Sequence, residues 1–310
     1  SKRALLLTGH CIALAASLPL VGFAALQELE MPLALSLAFA SLSLTAIGVS
    51  LCELVWFPLL RGYVEPERIG RFFGAIRTTW HLMLIAFFAG GQLWLGAHPA
   101  GFGALFGVAW LLGLARLPLI AGLPERSERT AQRIRARDAL ALVRRAPRLR
   151  RYLLGTSAYA GVRASVLPFT LVMLRRELGF TNATVVLTTI SLYLGGLASL
   201  YLWGALIDRL GAYVVFRGAA LGTAALYVGL AFLAATGSAA LPFAIAFFFA
   251  QAVLAAGFGV ADTRVLFELT PPESPAPTIV LSSVAVGVVC GLAPLAAGIA
   301  LDALLGRAAE

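Results

Sequence analysis

Long apolar runs, broken by short charged or turn-forming segments, repeat along the whole chain. A membrane-crossing helix needs about 20 predominantly apolar residues. Nine runs are long enough: 4–26, 32–60, 78–96, 101–122, 152–174, 183–207, 213–235, 240–261 and 279–301. The pattern predicts an all-α, polytopic helical membrane protein. The second run exceeds what a span requires, and it is expected to bend or to leave the membrane before Arg61. The run from Ala4 to Leu26 follows Lys2-Arg3 as a signal peptide would. It is longer than an h-region of about 7–15 residues, so it is read as a spanning helix.

Composition agrees with a lipid solvent. The chain is 60% hydrophobic and 13% charged, with mean hydropathy +0.90, where soluble domains carry about 25% charged residues. Its net charge is +9. In a soluble chain that excess would suggest nucleic acid; here the cations crowd into short polar segments and point to membrane topology. Cys11, Cys52 and Cys290 all lie inside apolar runs, are odd in number and lack metal-ligand spacing. They are read as small core hydrophobes.

The cations are unevenly shared between the two sides of the predicted bundle. One side holds Lys2, Arg3, Arg61, Arg68, Arg71, Arg77, the group from Arg116 to Arg151, Arg209, Arg217 and Arg264. The other holds Arg175, Arg176 and Arg307. Cytoplasmic loops are enriched in Lys and Arg, so the first side is expected in the cytoplasm, with the N-terminus inside and the C-terminus outside.

The longest polar segment divides the chain into a four-span half, 1–123, a linker, 124–151, and a five-span half, 152–310. Ten arginines (Arg126, Arg129, Arg133, Arg135, Arg137, Arg144, Arg145, Arg148, Arg150 and Arg151) make the linker strongly basic. Asp138 is positioned to cap a short helix, Ala139 to Arg145, before Pro147. The linker is expected to rest on anionic lipid headgroups, in preference to docking nucleic acid or protein. A short internal echo, Glu65-Pro66-Glu67-Arg68 after the second run and Pro271-Pro272-Glu273-Ser274 after the eighth, suggests a duplicated plan.

Between the sixth and seventh runs stands Gly204-x-x-x-Asp208-Arg209-x-Gly211. Gly204 is expected to let two helices approach closely. Asp208 puts a carboxylate at the membrane edge, and Gly211 permits a turn with positive φ. Set in a helical membrane protein with a central basic linker, this stretch resembles the G-x-x-x-D-R-x-G loop of the major facilitator superfamily. That family has two six-helix halves, and a copy of the loop joins helices eight and nine. Other stretches fit the resemblance: Ser1-Lys2-Arg3-Ala4-Leu5 is similar to the basic tail of the first copy, Gly70-Arg71-Phe72-Phe73-Gly74 to the loop between helices four and five, and Ala293-Pro294-x-x-x-Gly298-x-x-x-Asp302 to the outer end of helix eleven.

The resemblance covers essentially the whole chain. It implies family helices three to six, then seven to eleven, in two pseudo-repeat halves, with helices one, two and twelve lacking. The chain departs from the pattern after Gly211, where Ala212-Tyr213 stands in place of two basic residues. The resemblance further implies that Asp208 meets Arg264 near the inner end of the eighth run. With Glu268 beside it, we expect a latch Asp208–Arg264–Glu268; the alternative is that Asp262, Arg264 and Glu268 are solvated loop charges.

Ionisable and polar residues inside spans are costly, so each is a functional candidate. Arg163 falls near the middle of the fifth run. It is read as a cavity cation for an anionic substrate or a buried carboxylate, the alternative being a purely structural pair. Gln92 and Gln251 are candidate substrate contacts or interhelical hydrogen-bond groups. Glu53 is the candidate for proton coupling, unless it snorkels or pairs with Arg61 or Arg77. His10 and His81 are read as hydrogen-bonded structure before proton relays. Trp56, Trp80, Trp94 and Trp203 lie near run ends as interfacial anchors do. Phe247-Phe248-Phe249 is read as packing or lipid-facing bulk.

No nucleotide loop, metal spacing or Ser/His/Asp arrangement is visible, so no catalytic residue, metal, cofactor or enzymatic activity is expected. Two functions remain in view. One is a secondary transporter of a small solute in the bacterial inner membrane. The other is a transport-inactive subunit or scaffold that packs against partner membrane proteins.

Overall fold

The computed structural model describes residues 2–22, 28–60, 69–124, 143, 145–232, 239–270 and 275–308. Most of the basic linker, with most of the helix expected at Ala139 to Arg145, lies outside these residues. So do Arg61, Arg68 and both copies of the internal echo.

Among the described residues nine helices form: α1 (Lys2–Val21), α2 (Met31–Leu60), α3 (Ile69–Ala97), α4 (Phe102–Ala121), α5 (Pro147–Arg176), α6 (Asn182–Leu210), α7 (Ala212–Leu230), α8 (Ala240–Leu269) and α9 (Pro275–Ala308). Each is long and apolar enough to cross a membrane. The chain is an all-α, multi-pass membrane protein. The physical reason is local: in hydrocarbon every backbone polar group must be satisfied within its own segment, and a helix does that.

Several helices continue where the apolar run stops. α3 begins at Ile69, α5 at Pro147, and α8 continues to Leu269. A helix of 30 residues such as α8 is about 45 Å long at about 1.5 Å per residue. The hydrocarbon layer is about 30 Å thick, so the helix ends reach water, where charge is cheap. Asp262, Arg264 and Glu268 therefore stand on the last turns of α8, not in a loop. Arg148, Arg150 and Arg151 likewise belong to the first turns of α5.

The chain divides into two units, Ser1–Thr130 and Ala131–Glu310. In the first, α1 packs on α2 and α4. Leu6, Val55, Leu59 and Ile120 form a buried cluster at one end of these three helices. Further along, Trp110 Nε1 donates to the Leu14 carbonyl at 3.0 Å. His10 Nε2 lies 2.8 Å from the Gly113 carbonyl, a hydrogen bond between α1 and α4.

In the second unit α8 packs on α6 and α7, and α9 packs on α5. One buried cluster joins Leu149, Tyr152 and Leu153 of α5 to Ile207, Ala212, Val215, Ala261 and Val265. The other, towards the opposite end of α8, holds Leu174, Ala240, Ala244, Phe247 and Phe248. Of the three phenylalanines, Phe247 and Phe248 are buried core, whereas Phe249 is exposed.

Candidate functional site

The candidate site is built from the α6–α7 turn and one stripe of α5. α6 ends because Gly211 takes φ +86° and ψ 153°, a backbone conformation essentially reserved for glycine. Its N–H donates to the Ile207 carbonyl at 2.8 Å, and Ile207 is buried beneath the turn. Asp208 and Arg209 are thereby held on the exposed last turn of α6.

Across from the turn, Arg264 Nη1 of α8 donates to Asp208 Oδ1 at 2.7 Å. Arg264 Nε lies 3.9 Å from Glu268 Oε1, one helical turn on. The three side chains are about half exposed or more. Such a pair adds at most about 1 kcal/mol to stability, so its use lies in joining α6 to α8. Arg209 points to no carboxylate among the described residues, and Ala212 is buried while Tyr213 is exposed.

Gly204 corrects an expectation. Among the described residues nothing lies within 4 Å of where a Cβ would stand there, so Gly204 is not the point of close approach. The backbones of α6 and α8 come closest at Gly195, where a Cβ would meet the Phe249 backbone, and Trp203, beside Gly204, fills the space over a glycine of α8. The indole ring occupies the space a side chain at Gly257 would need, and Nε1 donates to the Val253 carbonyl at 2.7 Å. Trp203 is thus an α6–α8 packing residue. Trp94 does bond at a helix end, donating to Gly101 O at 2.9 Å.

Two residues along α8 from Arg264, a second polar contact had no counterpart in the sequence reading. Tyr152 Oη and Thr156 Oγ1 of α5 each donate to Asp262 Oδ1 at 2.8 Å. Ser282 of α9 lies close to the same phenol. Asp262 is half-buried, and both donors are buried. The available signal was the spacing of Tyr152 and Thr156, four apart on one helix face, opposite the first carboxylate past the apolar part of α8.

That spacing continues. Tyr152, Thr156, Tyr159 and Arg163 follow one stripe of α5, at intervals of four, three and four residues. Tyr159 stacks on Phe258 of α8 with ring centroids 3.6 Å apart, and its hydroxyl lies 3.4 Å from Thr223 Oγ1 of α7. Phe216 packs against Phe258 at 4.5 Å. Arg163 is exposed, one turn from Tyr159 on the same stripe. Among the described residues no carboxylate pairs with it.

Gln251 is buried at 3% exposure. Its Nε2 donates to Tyr227 Oη at 3.0 Å, so it does serve as interhelical hydrogen-bond glue. Its Oε1 has no partner among the described residues. The structure thus ties Gln251 of α8 to Tyr227 of α7, while Arg163 stands on the Tyr159 stripe of α5.

The remaining candidates belong to the first unit. Gln92 is half-buried on α3 and Glu53 exposed on α2. Neither makes a side-chain hydrogen bond or ion pair among the described residues. His81 Nδ1 lies 2.8 Å from the Arg77 carbonyl of its own helix. Among the described residues no three His, Cys, Asp or Glu side chains are grouped to hold a metal. No protein-family model matches the chain, and a search of curated proteins returns no match.

Proposed function

We propose that the chain is a secondary transporter of the major facilitator type, in the bacterial inner membrane, with the arginine-rich side in the cytoplasm. It carries a small anionic solute by alternating access. The observation that carries this reading is the 2.7 Å ion pair between Asp208 and Arg264. It joins the charged turn of the Gly204 to Gly211 motif to the end of a neighbouring helix, as the family resemblance implied.

In this reading the latch Asp208–Arg264–Glu268 clamps the α6–α7 turn to α8 in one conformer and parts in another. An exposed pair is suited to that task, because breaking it costs about 1 kcal/mol or less. Arg163 is the cation that meets the solute's negative group, since a guanidinium in a span demands an anionic partner. Gln251 supplies a buried acceptor on α8; in the first unit Gln92 is a polar candidate and Glu53 the carboxylate for proton coupling.

The test is uptake by proteoliposomes, under an imposed proton gradient, of a panel of labelled mono- and dicarboxylates. Uptake of at least one anion is expected. Arg163→Ala should abolish it, and Asp208→Asn should slow it several-fold without loss of folded protein. Unchanged uptake in Asp208→Asn would sink the latch. No uptake across the panel, together with purification in fixed ratio with another membrane protein, would replace the transporter by the scaffold reading.

A further inference from the structure

The inner ends of α1, α2 and α4 present a second arrangement that the transport reading does not use. Arg116 stands on α4, little more than one turn before that helix ends at Ala121. Its guanidinium carbon lies 5.5 Å from the ring centroid of Trp56 on α2. Trp56 in turn packs on the buried cluster of Leu6, Val55, Leu59 and Ile120. The ring is a packed platform, and the guanidinium carbon lies over it.

The neighbours of Arg116 on its own helix say what surrounds it. Leu112 and Leu119, one turn to either side, are 63% and 72% exposed. In a membrane-spanning helix such a stripe faces acyl chains. Arg116 is therefore a cation on a lipid-facing stripe, close enough to the helix end to snorkel to the headgroups. Among the described residues no oxygen accepts from its guanidinium and no carboxylate pairs with it. Glu53, one turn from Trp56 on α2, is the local acid, and it lies beyond ion-pair distance.

A second cation fills in the same end. Arg3 Nη1 donates to the carbonyls of Ala121 and Leu123, both at 3.2 Å, and so pins the start of α1 over the end of α4. Among the described residues, Arg3 and Arg116 stand at this end against Glu53. The surplus is positive where phosphates of the bilayer lie.

We propose that this end of the first unit is a binding site for an anionic phospholipid. The headgroup phosphate is held by the Arg116 guanidinium, which Trp56 positions from beneath. The acyl chains lie along Leu112 and Leu119. Planar Arg on an aromatic ring leaves its outer N–H groups free for a bidentate phosphate contact. The proposal requires only that the chain spans a membrane; it is independent of transport.

Native mass spectrometry of the full chain tests it, in detergent supplied with equal phosphatidylglycerol and phosphatidylcholine. The wild-type protein should retain phosphatidylglycerol in preference. Arg116→Gln should cut that preference about fivefold, equivalent to the about 1 kcal/mol of one basic residue at an anionic surface. Arg116→Lys, which keeps charge but not planarity, should retain part of it, and Trp56→Leu should lose part. Glu53→Gln should raise it. Excess soluble glycerol phosphate should not displace the lipid. Equal retention of the two lipids, an unchanged Arg116→Gln, a loss in Glu53→Gln, or displacement by glycerol phosphate would each overturn the site.

Discussion

Tyr152 of α5 donates its phenolic proton to Asp262 of α8 across 2.8 Å, and Thr156, one turn on, donates to the same oxygen. α5 packs mainly on α9, so this carboxylate is the main polar tie between α5 and α8. A half-buried carboxylate in a spanning helix is costly unless hydrogen-bonded, and the two hydroxyls meet that cost from one helix face.

Hydrogen bonds to a charged group contribute about 1.5–3 kcal/mol each. Tyr152→Phe and Thr156→Val are each expected to lower the melting temperature of the full chain in detergent. The double substitution should lose more than the sum, because it leaves the Asp262 carboxylate without a donor. A melting temperature unchanged by both single substitutions would mean that the contact does not hold α5 to α8.

The latch behaves in the opposite way. Exposed pairs contribute about 0.2–1 kcal/mol, so Asp208→Asn should leave the melting temperature nearly unchanged. It should nevertheless alter the alkylation rate of a cysteine introduced at Ala205, on the same helix end. A large fall in stability with no change in labelling would make the Asp208–Arg264 pair structural.

Two glycines of one motif should separate cleanly. Gly211→Ala forces a Cβ into φ +86° and is expected to cost about 1–3 kcal/mol, visible as lower yield and melting temperature. Gly204→Ala adds a methyl into space left open by the described residues, and should be neutral within about 0.5 kcal/mol. Equal effects at the two positions would contradict the turn geometry.

Arg163 offers a further contrast. It is exposed and unpaired among the described residues, so Arg163→Ala should change stability by less than about 0.5 kcal/mol in the same melting measurement. A loss of several degrees would identify it as a structural arginine and remove it from the substrate reading.

Much of the fold was readable because the signal for a spanning helix is one-dimensional. Runs such as 32–60 and 183–207 need only be long and apolar to become α2 and α6. Ends were less readable. The reading stopped at Ala261 because charge follows, yet α8 carries Asp262, Arg264 and Glu268 on its final turns. The Asp208–Arg264 meeting was anticipated from a motif. The Tyr152–Asp262 contact was not, because Tyr152 and Asp262 stand 110 residues apart and no local pattern pairs them.

The sequence by itself determined that the chain crosses a membrane many times, where most helices lie, and that Gly211 turns one into the next. Those are properties of a segment and its solvent: length, apolarity, and the backbone freedom of one residue. Only the tertiary structure decided which face of each helix meets which partner. It put Trp203, not Gly204, against α8, Asp262 beneath two hydroxyls, and Arg116 over Trp56. Lipid is as apolar as the side chains it surrounds, so no hydrophobic stripe marks the inward face. Helix rotation is settled instead by packing and by a few polar contacts between residues far apart in the chain.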